Sequence, residues 1–505
     1  MKTRFMAAVL MSVTLAAWLD RAAGAPADAG STASGAQTLT PAQMHADFDL
    51  MRRALEEAHP GLYRYSTKAQ MDREFDDQRA KLSQPMTKEQ FEEVVAQTIA
   101  SIHCGHTRMY WDPEIEAAIR DGRSLPLRVE FEGSRLMVVL NQTADDRTIR
   151  PGMELVSVNG HPVAELVKQF WAVTYADGDI ETTKRRGIAW DFAKDYFWLV
   201  GRPQYFTVTA IDPSSGKTVQ SKLAGVTEAE RKANHNPVND AMVAGLAKVR
   251  GEEYEKLSLS FPKDPGIARI RIPLFMGDEY PRWIENTFRT LRERGTKKLI
   301  IDLRSNGGGE DTYGIMLVSH LTDKPFHYVD RVTVKTMTWS FEDHWDAKRL
   351  DADERARIRR CLTPNPDGGY FVSEELHDSL GEKQPAKYRF SGDVFILIDG
   401  STFSTAADTC AVIHHLRRAT FIGEETAGAY YGNNSGTEPT VTLPNSKLRF
   451  GLPLSASWNA VSGYAETRRG TIPDHVVPTK TADLLRGIDA QLQLALKLAA
   501  KPRAD

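Results

Sequence analysis

Two loops in the second half of the chain carry residues suited to nucleophilic catalysis. The apolar run Asp393-Val-Phe-Ile-Leu-Ile398 leads into Asp399-Gly-Ser-Thr-Phe-Ser404 and then an Ala-rich helical stretch. Ser404 therefore opens a helix, where unpaired N–H groups and the helix dipole favour negative charge. A second apolar run, Lys298-Leu-Ile-Ile-Asp-Leu303, leads into Arg304-Ser-Asn-Gly-Gly-Gly309. A triple glycine lets bare backbone N–H groups approach a ligand, because no Cβ intervenes. A hydroxyl nucleophile beside such amides is the equipment of acyl transfer. Each loop also has a purely structural reading: serine is a common helix N-cap, and three glycines can be a plain turn. A phosphate loop is excluded, since no Gly-Lys-Ser/Thr follows. The Gly-x-Ser-x-Gly elbow of α/β-hydrolases is absent around Ser404.

The elements that must position these loops alternate. Gly266-Ile-Ala-Arg-Ile-Arg-Ile272 reads as a strand, followed by a helix carrying Tyr280, Trp283, Ile284, Phe288 and Leu291. With the two apolar runs it predicts helices packed on a sheet, with ligand chemistry at the loops after the strands. Between the two core strands lies a charged insertion, residues 323–392, that includes Trp339, Trp345 and Tyr370. It reads either as a lid or specificity element or as a solvated excursion with some helix.

Upstream, Thr40-Pro-Ala-Gln43, Thr67-Lys-Ala-Gln70 and Thr87-Lys-Glu-Gln90 are capping-box patterns that open three amphipathic runs. They predict a helical domain over residues 40–115. From Leu125 the period changes to two, and Leu127–Phe131 and Leu136–Leu140 flank a hairpin turn. The following Ile149-Arg-Pro-Gly-Met-Glu-Leu-Val-Ser-Val-Asn-Gly-His-Pro-Val163 resembles part of a PDZ domain, which places a PDZ-like β domain at residues 120–226. Ser124-Leu-Pro-Leu127 stands where that domain has its glycine-rich carboxylate-binding loop. A peptide terminus adding as a strand is what the resemblance implies for this module.

The N-terminus reads as an address. Lys2 and Arg4 precede the apolar run Phe5–Leu19, and Ala-x-Ala sites follow, with cleavage placed after Ala25 or Ala29. This is the pattern of a secretory signal peptide, and the run is too short for a membrane span. Residues 1–25 are thus expected to be a signal peptide and 26–39 a flexible linker, giving a periplasmic or secreted protein with no stable membrane insertion. Of 505 residues, 64 are Lys or Arg and 67 Asp or Glu, a net charge of −3 that leaves no cationic excess for nucleic acid. Three cysteines, Cys104, Cys361 and Cys410, are too few for a disulfide framework, and their export context does not require one.

Two blocks resemble peptidase family S41, the tail-specific or C-terminal-processing peptidases. Leu299-Ile-Ile-Asp-Leu-Arg-Ser-Asn-Gly-Gly-Gly309 is similar to the family's "LIIDLRxNxGG". Val394–Asp408 with Phe421-Ile-Gly-Glu-Glu-Thr-Ala-Gly428 is similar to "VxVLIDxxTxSAxE…xxGExTxG". The resemblance implies an α+β multidomain protein: an N-terminal helical segment, a PDZ-like β domain and an α/β peptidase core of the ClpP/crotonase-like type over residues 255–485. It puts the nucleophile at Ser404 and leaves Ser401 as a loop residue. Processing members use a Ser–Lys dyad, but Ala429 stands in the lysine's place. Tricorn-type members use a histidine from the upstream segment, and Ile102-His-Cys-Gly-His-Thr107 is similar to that stretch, which nominates His106. An imidazole near pKa 6.5 can accept a hydroxyl proton at neutral pH. His106 could equally cap or pack the end of the third helix. In those members a glutamate precedes a "G..PD" block near the C-terminus. Tyr464-Ala-Glu-Thr-Arg-Arg-Gly-Thr-Ile-Pro-Asp474 matches, which nominates Glu466 as the group that orients His106. Where those members place a serine before the histidine, this chain has Gly105.

The expected function is hydrolysis of peptide bonds in proteins or peptides. Ser404 would act as nucleophile, His106 as base, and the backbone N–H groups of Gly308 and Thr405 as the oxyanion hole. No cofactor or metal is called for: His103, Cys104 and His106 have no matching ligand set elsewhere, and His-Glu-x-x-His is absent. Two alternatives use the same fold: an apolar-ligand carrier without hydrolysis, as in the retinoid-binding proteins it extends to, and an esterase or amidase of small substrates.

Overall fold

The apolar runs around the two loops form neighbouring strands of one sheet. In the computed structural model, which describes residues 38–501 except 112, 252–253, 263–265 and 348, the sheet has six strands. Their order is Ser258–Ser260, Ile267–Arg271, Lys298–Asp302, Asp393–Ile398, Thr420–Gly423 and His475–Val476. The first pair is antiparallel and all the others are parallel. Parallel neighbours need crossovers; the helices Tyr280–Glu293, Asp311–Leu321 and Thr405–His415 lie in these connections. Alternate residues of a strand face opposite sides, so a strand covered on both faces reads as a continuous apolar run. Ile270, Leu299, Ile301, Ile396 and Ile398 pack against Ile284, Phe288, Leu317 and Ile413. Ile267, Ile300, Phe395, Leu397 and Ile422 pack on the other side with Ala495 and Ala499 of the terminal helix Ala490–Ala499.

Parallel alignment puts the C-terminal ends of Lys298–Asp302 and Asp393–Ile398 side by side, with Asp302 opposite Leu397. The glycine loop and the Ser404 loop therefore leave the sheet at the same edge and touch. Phe403 N–H donates to Asn306 O at 2.9 Å, and Thr402 Oγ1 donates to Leu303 O at 3.0 Å.

The upstream helices are Pro41–Ala58, Lys68–Ala80 and Lys88–Ala100, and each starts with a complete capping box at Thr40, Thr67 or Thr87. They do not close a core by themselves. Their apolar faces share one cluster with Phe341 from the insertion and with Val441, Leu443, Leu448, Phe450 and Leu452 from the last third of the chain. A strand links the two regions directly: Met109–Tyr110 pairs with Arg449–Gly451. The insertion 323–392 is in part packed rather than solvated, although its helix Ala352–Arg360 buries only Ile358. Its strand Val329–Val334 pairs with Tyr370–Val372 and with Ser455–Asn459, and Trp339 and Trp345 pack on the helical cluster. The proposed linker also ends early, because Thr38–Leu39 forms a strand with Met86–Thr87 and Leu39 is fully buried. Residues 1–37, with the expected signal peptide and both cleavage sites, lie outside the described residues.

Between these regions stands an antiparallel sheet of Leu127–Glu132, Arg135–Asn141, Glu154–Val158, Tyr205–Ile211 and Thr218–Ala224, in that order. The helices Val163–Val173 and Glu181–Leu199 cover its apolar face through Leu166, Phe170, Ile188, Phe192 and Tyr196. Arg186 joins this module to the core, with its guanidinium 2.8 Å from both Glu130 and Glu424.

Candidate active site

Ser404 does not act as an N-cap. Its side chain makes no capping bond to the helix Thr405–His415, and its backbone sits at φ 52°, ψ −133°, a conformation that L-residues rarely adopt. Holding a non-glycine residue there costs on the order of 1–3 kcal/mol, and the surroundings over-determine it. Phe403 is bonded to Asn306 on one side, and Asp408 N–H donates back to Ser404 O at 3.0 Å on the other. Asp408 is itself buried and takes Nδ2 donors from Asn433 and Asn459 at 2.7 and 2.8 Å. The sharp turn lifts Oγ out of the helix line and towards another part of the chain.

That part is the loop after the helix Lys88–Ala100. His106 Nε2 lies 3.2 Å from Ser404 Oγ, across 298 positions of sequence. The ring is buried and stacks on Phe403, with centroids 4.5 Å apart and planes at 25°. Burial, and secondarily the Arg108 guanidinium, push the imidazole down to about 3, so it is neutral and able to accept a proton. Gly105 is explained by this stack. A Cβ at that position would come within 2.8 Å of two Phe403 ring carbons, leaving no room for the serine of the tricorn-type pattern.

Glu466 requires a correction. Its side chain is exposed, while His106 Nδ1 is buried and has no hydrogen-bond partner among the described residues, so the expected carboxylate–imidazole bond is not made. The turn that holds it is organised around Arg469 instead, whose guanidinium is 2.8 and 2.6 Å from the two oxygens of buried Glu425. The oxyanion pair is also rearranged. Gly308 N–H donates to Asn306 Oδ1 at 2.8 Å, closing a turn inside the glycine loop. Among the described residues the amides of Thr405 and Gly309 have no protein acceptor, and neither do those of Ser404 and Gly307. Gly308 is nonetheless pressed against the nucleophile: at φ +106°, a Cβ there would lie 2.7 Å from Ser404 Cβ.

Four residues around the dyad carried no signal in the sequence. Phe403 read as one more apolar loop residue. Asp177 belongs to a loop of the β-sheet module, yet it is buried at the histidine loop and accepts from Gly105 N–H at 2.7 Å. Arg108 and Glu438 form a buried pair at 3.7 Å, and burial raises the Glu438 carboxyl to about 7 against the pull of Arg108. Cys104, two residues before His106, is buried with its thiol pushed up to about 11 by burial, so it offers no thiolate. Ala429 is buried and presents no amine. Among the described residues no group of three or more His, Cys, Asp or Glu could hold a metal ion, and no helix is long and apolar enough to cross a membrane.

Residues 266–477 match the model of peptidase family S41. No curated protein matches the chain by sequence. Among solved structures, mature CPAF matches with 16% identity and a TM-score of 0.62, over 91% of this chain and 96% of that one. Mature CPAF complexed with lactacystin matches with 15% identity and a TM-score of 0.63, over 91% and 98%. At such identities the likeness is one of fold, and it extends over nearly the whole of both chains.

Proposed function

We propose that this chain, whose residues 266–477 belong to peptidase family S41 and make it a serine-type peptidase, is an exported endopeptidase working through a Ser404–His106 dyad. The approach of His106 Nε2 to Ser404 Oγ at 3.2 Å carries the reading. In it, Nε2 takes the hydroxyl proton as Oγ attacks the carbonyl carbon of a peptide bond. The carbonyl π pair moves onto oxygen, and the oxyanion is met by the free N–H of Thr405 and by the glycine loop through Gly309. Each such donor is worth on the order of 2.7–4 kcal/mol in related acyl transfers. His106 then gives its proton to the leaving amine, freeing one product and leaving Ser404 acylated. Water enters, loses a proton to Nε2 and attacks the ester carbon, and the returning proton restores the serine.

For Nε2 to be the base, the resting proton must sit on Nδ1. Stacking on Phe403 replaces a carboxylate as the device that holds the ring plane. Substrates are proteins or peptides, and the PDZ-like module at residues 120–226 would take a peptide strand. The amino-terminal address would send the protein to the periplasm. The test is reaction of the purified mature protein with a fluorophosphonate, read by intact mass, beside Ser404→Ala and His106→Ala. Labelling that needs both side chains supports the dyad. A well-folded wild type that takes no label refutes it and favours the carrier reading.

A further inference from the structure

Asp177 is 1% exposed and lies on the loop that joins the helices Val163–Val173 and Glu181–Leu199, outside the segment matched to the peptidase family. Its carboxylate reaches two backbone groups that flank the dyad. Oδ1 accepts Gly105 N–H at 2.7 Å, one residue before His106. Oδ2 accepts Ala429 N–H at 3.4 Å, one residue after Gly428. Gly428 packs so tightly on the nucleophile that a Cβ there would lie 3.3 Å from Ser404 N and 2.6 Å from Ala407 Cβ. One carboxylate thus ties the backbone carrying the base to the backbone supporting the nucleophile.

Neighbouring bonds tie the Asp177 loop to the histidine loop and to the turn that carries Arg468. Gly178 N–H donates to His103 O at 3.0 Å, and His103 Nδ1 lies 2.7 Å from Gly178 O. His103 holds a positive φ of 58°, so the turn that leads to His106 is itself strained and needs external partners. Asp179 N–H donates to Arg468 O at 2.8 Å, and the Arg468 guanidinium grips the Asp179 carboxylate. Gly178, at φ +52°, is pressed against Arg468 O, where a Cβ would come within 2.2 Å. Asp177 is the one member of this set that contacts both sides of the dyad. His106 itself has a buried Nδ1 with no partner among the described residues, so the ring's position depends on its backbone and on Phe403.

Resting on the Ser404–His106 reading, we propose that Asp177 is a positioning residue: its carboxylate docks the histidine loop on the 428–429 segment and sets the distance between the two reacting atoms. It touches no substrate and moves no proton. Its removal frees the Gly105 and Ala429 amides and lets the histidine loop drift from Ser404. A displacement of about 1 Å in such a pair can cost about 100-fold in rate.

The test compares wild type with Asp177→Ala and Asp177→Asn in the full mature chain. Phosphonylation of Ser404 by a fluorophosphonate is followed per folded molecule, kcat and KM are taken on a peptide substrate, and each variant is crystallised. Asp177→Ala is expected to label about 100-fold more slowly, with the loss in kcat and KM little changed. Asp177→Asn keeps an acceptor for Gly105 but sets an amide donor against Ala429 N–H, so a loss of about tenfold is expected. If Asp177→Ala does not fold, Asp177→Asn decides alone. A wild-type labelling rate in either folded variant overturns the proposal, as does a variant crystal structure with His106 Nε2 still 3.2 Å from Ser404 Oγ. A wild type that takes no label would instead remove the dyad reading. The crystal structures would then still show whether Asp177 holds the histidine loop.

Discussion

The buried setting of His106 makes a quantitative statement about pH. An imidazole at the ordinary 6.5 is about 3% neutral at pH 5, whereas one held near 3 is about 99% neutral there. Both are essentially neutral at pH 8. If Ser404 reacts only when Nε2 is free, labelling at pH 5 relative to pH 8 should stay close to unity. An ordinary histidine would lose about thirty-fold. The assay is the initial rate of fluorophosphonate incorporation between pH 4 and 8, normalised to folded protein. The perturbation that isolates the cause is Phe403→Ala, which removes the stacked ring and admits water to the imidazole. It should move the acid limb of the profile up towards 6.5. The same burial has a stability sign. A histidine whose folded pKa is depressed contributes stability that is complete above 6.5 and is lost as pH falls towards about 3, because the unfolded chain takes up the proton first. At pH 5 His106 alone costs about 2 kcal/mol. His59, fully buried between Thr107 Oγ1 and Gly61 N–H and also pushed down to about 3 by burial, adds a comparable loss. An acid limb near 6.5 in the wild type would refute the reasoning, since it would mean that the resting ring is in contact with water.

Other outcomes follow from the same geometry. Ser404→Gly should stabilise the fold by about 1 kcal/mol, the difference between relieved strain and glycine's greater unfolded-state entropy, raising the urea midpoint; an unchanged or lower midpoint would mean that the turn is not strained. Gly105→Ser should slow labelling by more than about tenfold, because its Cβ meets the Phe403 ring at 2.8 Å, and Phe403→Leu in the same chain should recover part of the loss. Glu466→Gln should leave the labelling rate within about twofold of wild type, since its side chain is exposed and bonds to no part of His106; a hundredfold loss would restore the glutamate to the mechanism.

Much of the local structure was legible in the residues. The Thr-x-x-Gln starts dictated three helix N-termini, because side chain and backbone satisfy each other within four residues. Apolar runs with no alternation announced strands buried on both faces, and the loops after them were the natural place for chemistry. Those are short-range or compositional facts, and a sequence displays them directly. Module closure was not of that kind. The helical segment looked self-contained because its own amphipathic faces are complete, yet Phe341 and Phe450, from distant parts of the chain, finish its core.

At the site, the sequence by itself determined the chemical types: a serine after a buried strand, a glycine loop after its neighbour, and a histidine after the third helix. Only the tertiary structure decided how they meet. The 3.2 Å approach of His106 to Ser404 depends on a parallel pairing, a strained turn and a loop held by Asp177, contributed by three separate regions. Whether a carboxylate orients the ring, and which amides remain free for an oxyanion, are questions of competition among neighbours. Glu466 stays in solvent while Arg469 turns to Glu425, Gly308 gives its N–H to Asn306, and Phe403 takes the space beside Gly105. Such competitions are settled by packing and hydrogen-bond satisfaction over distances that no local pattern encodes.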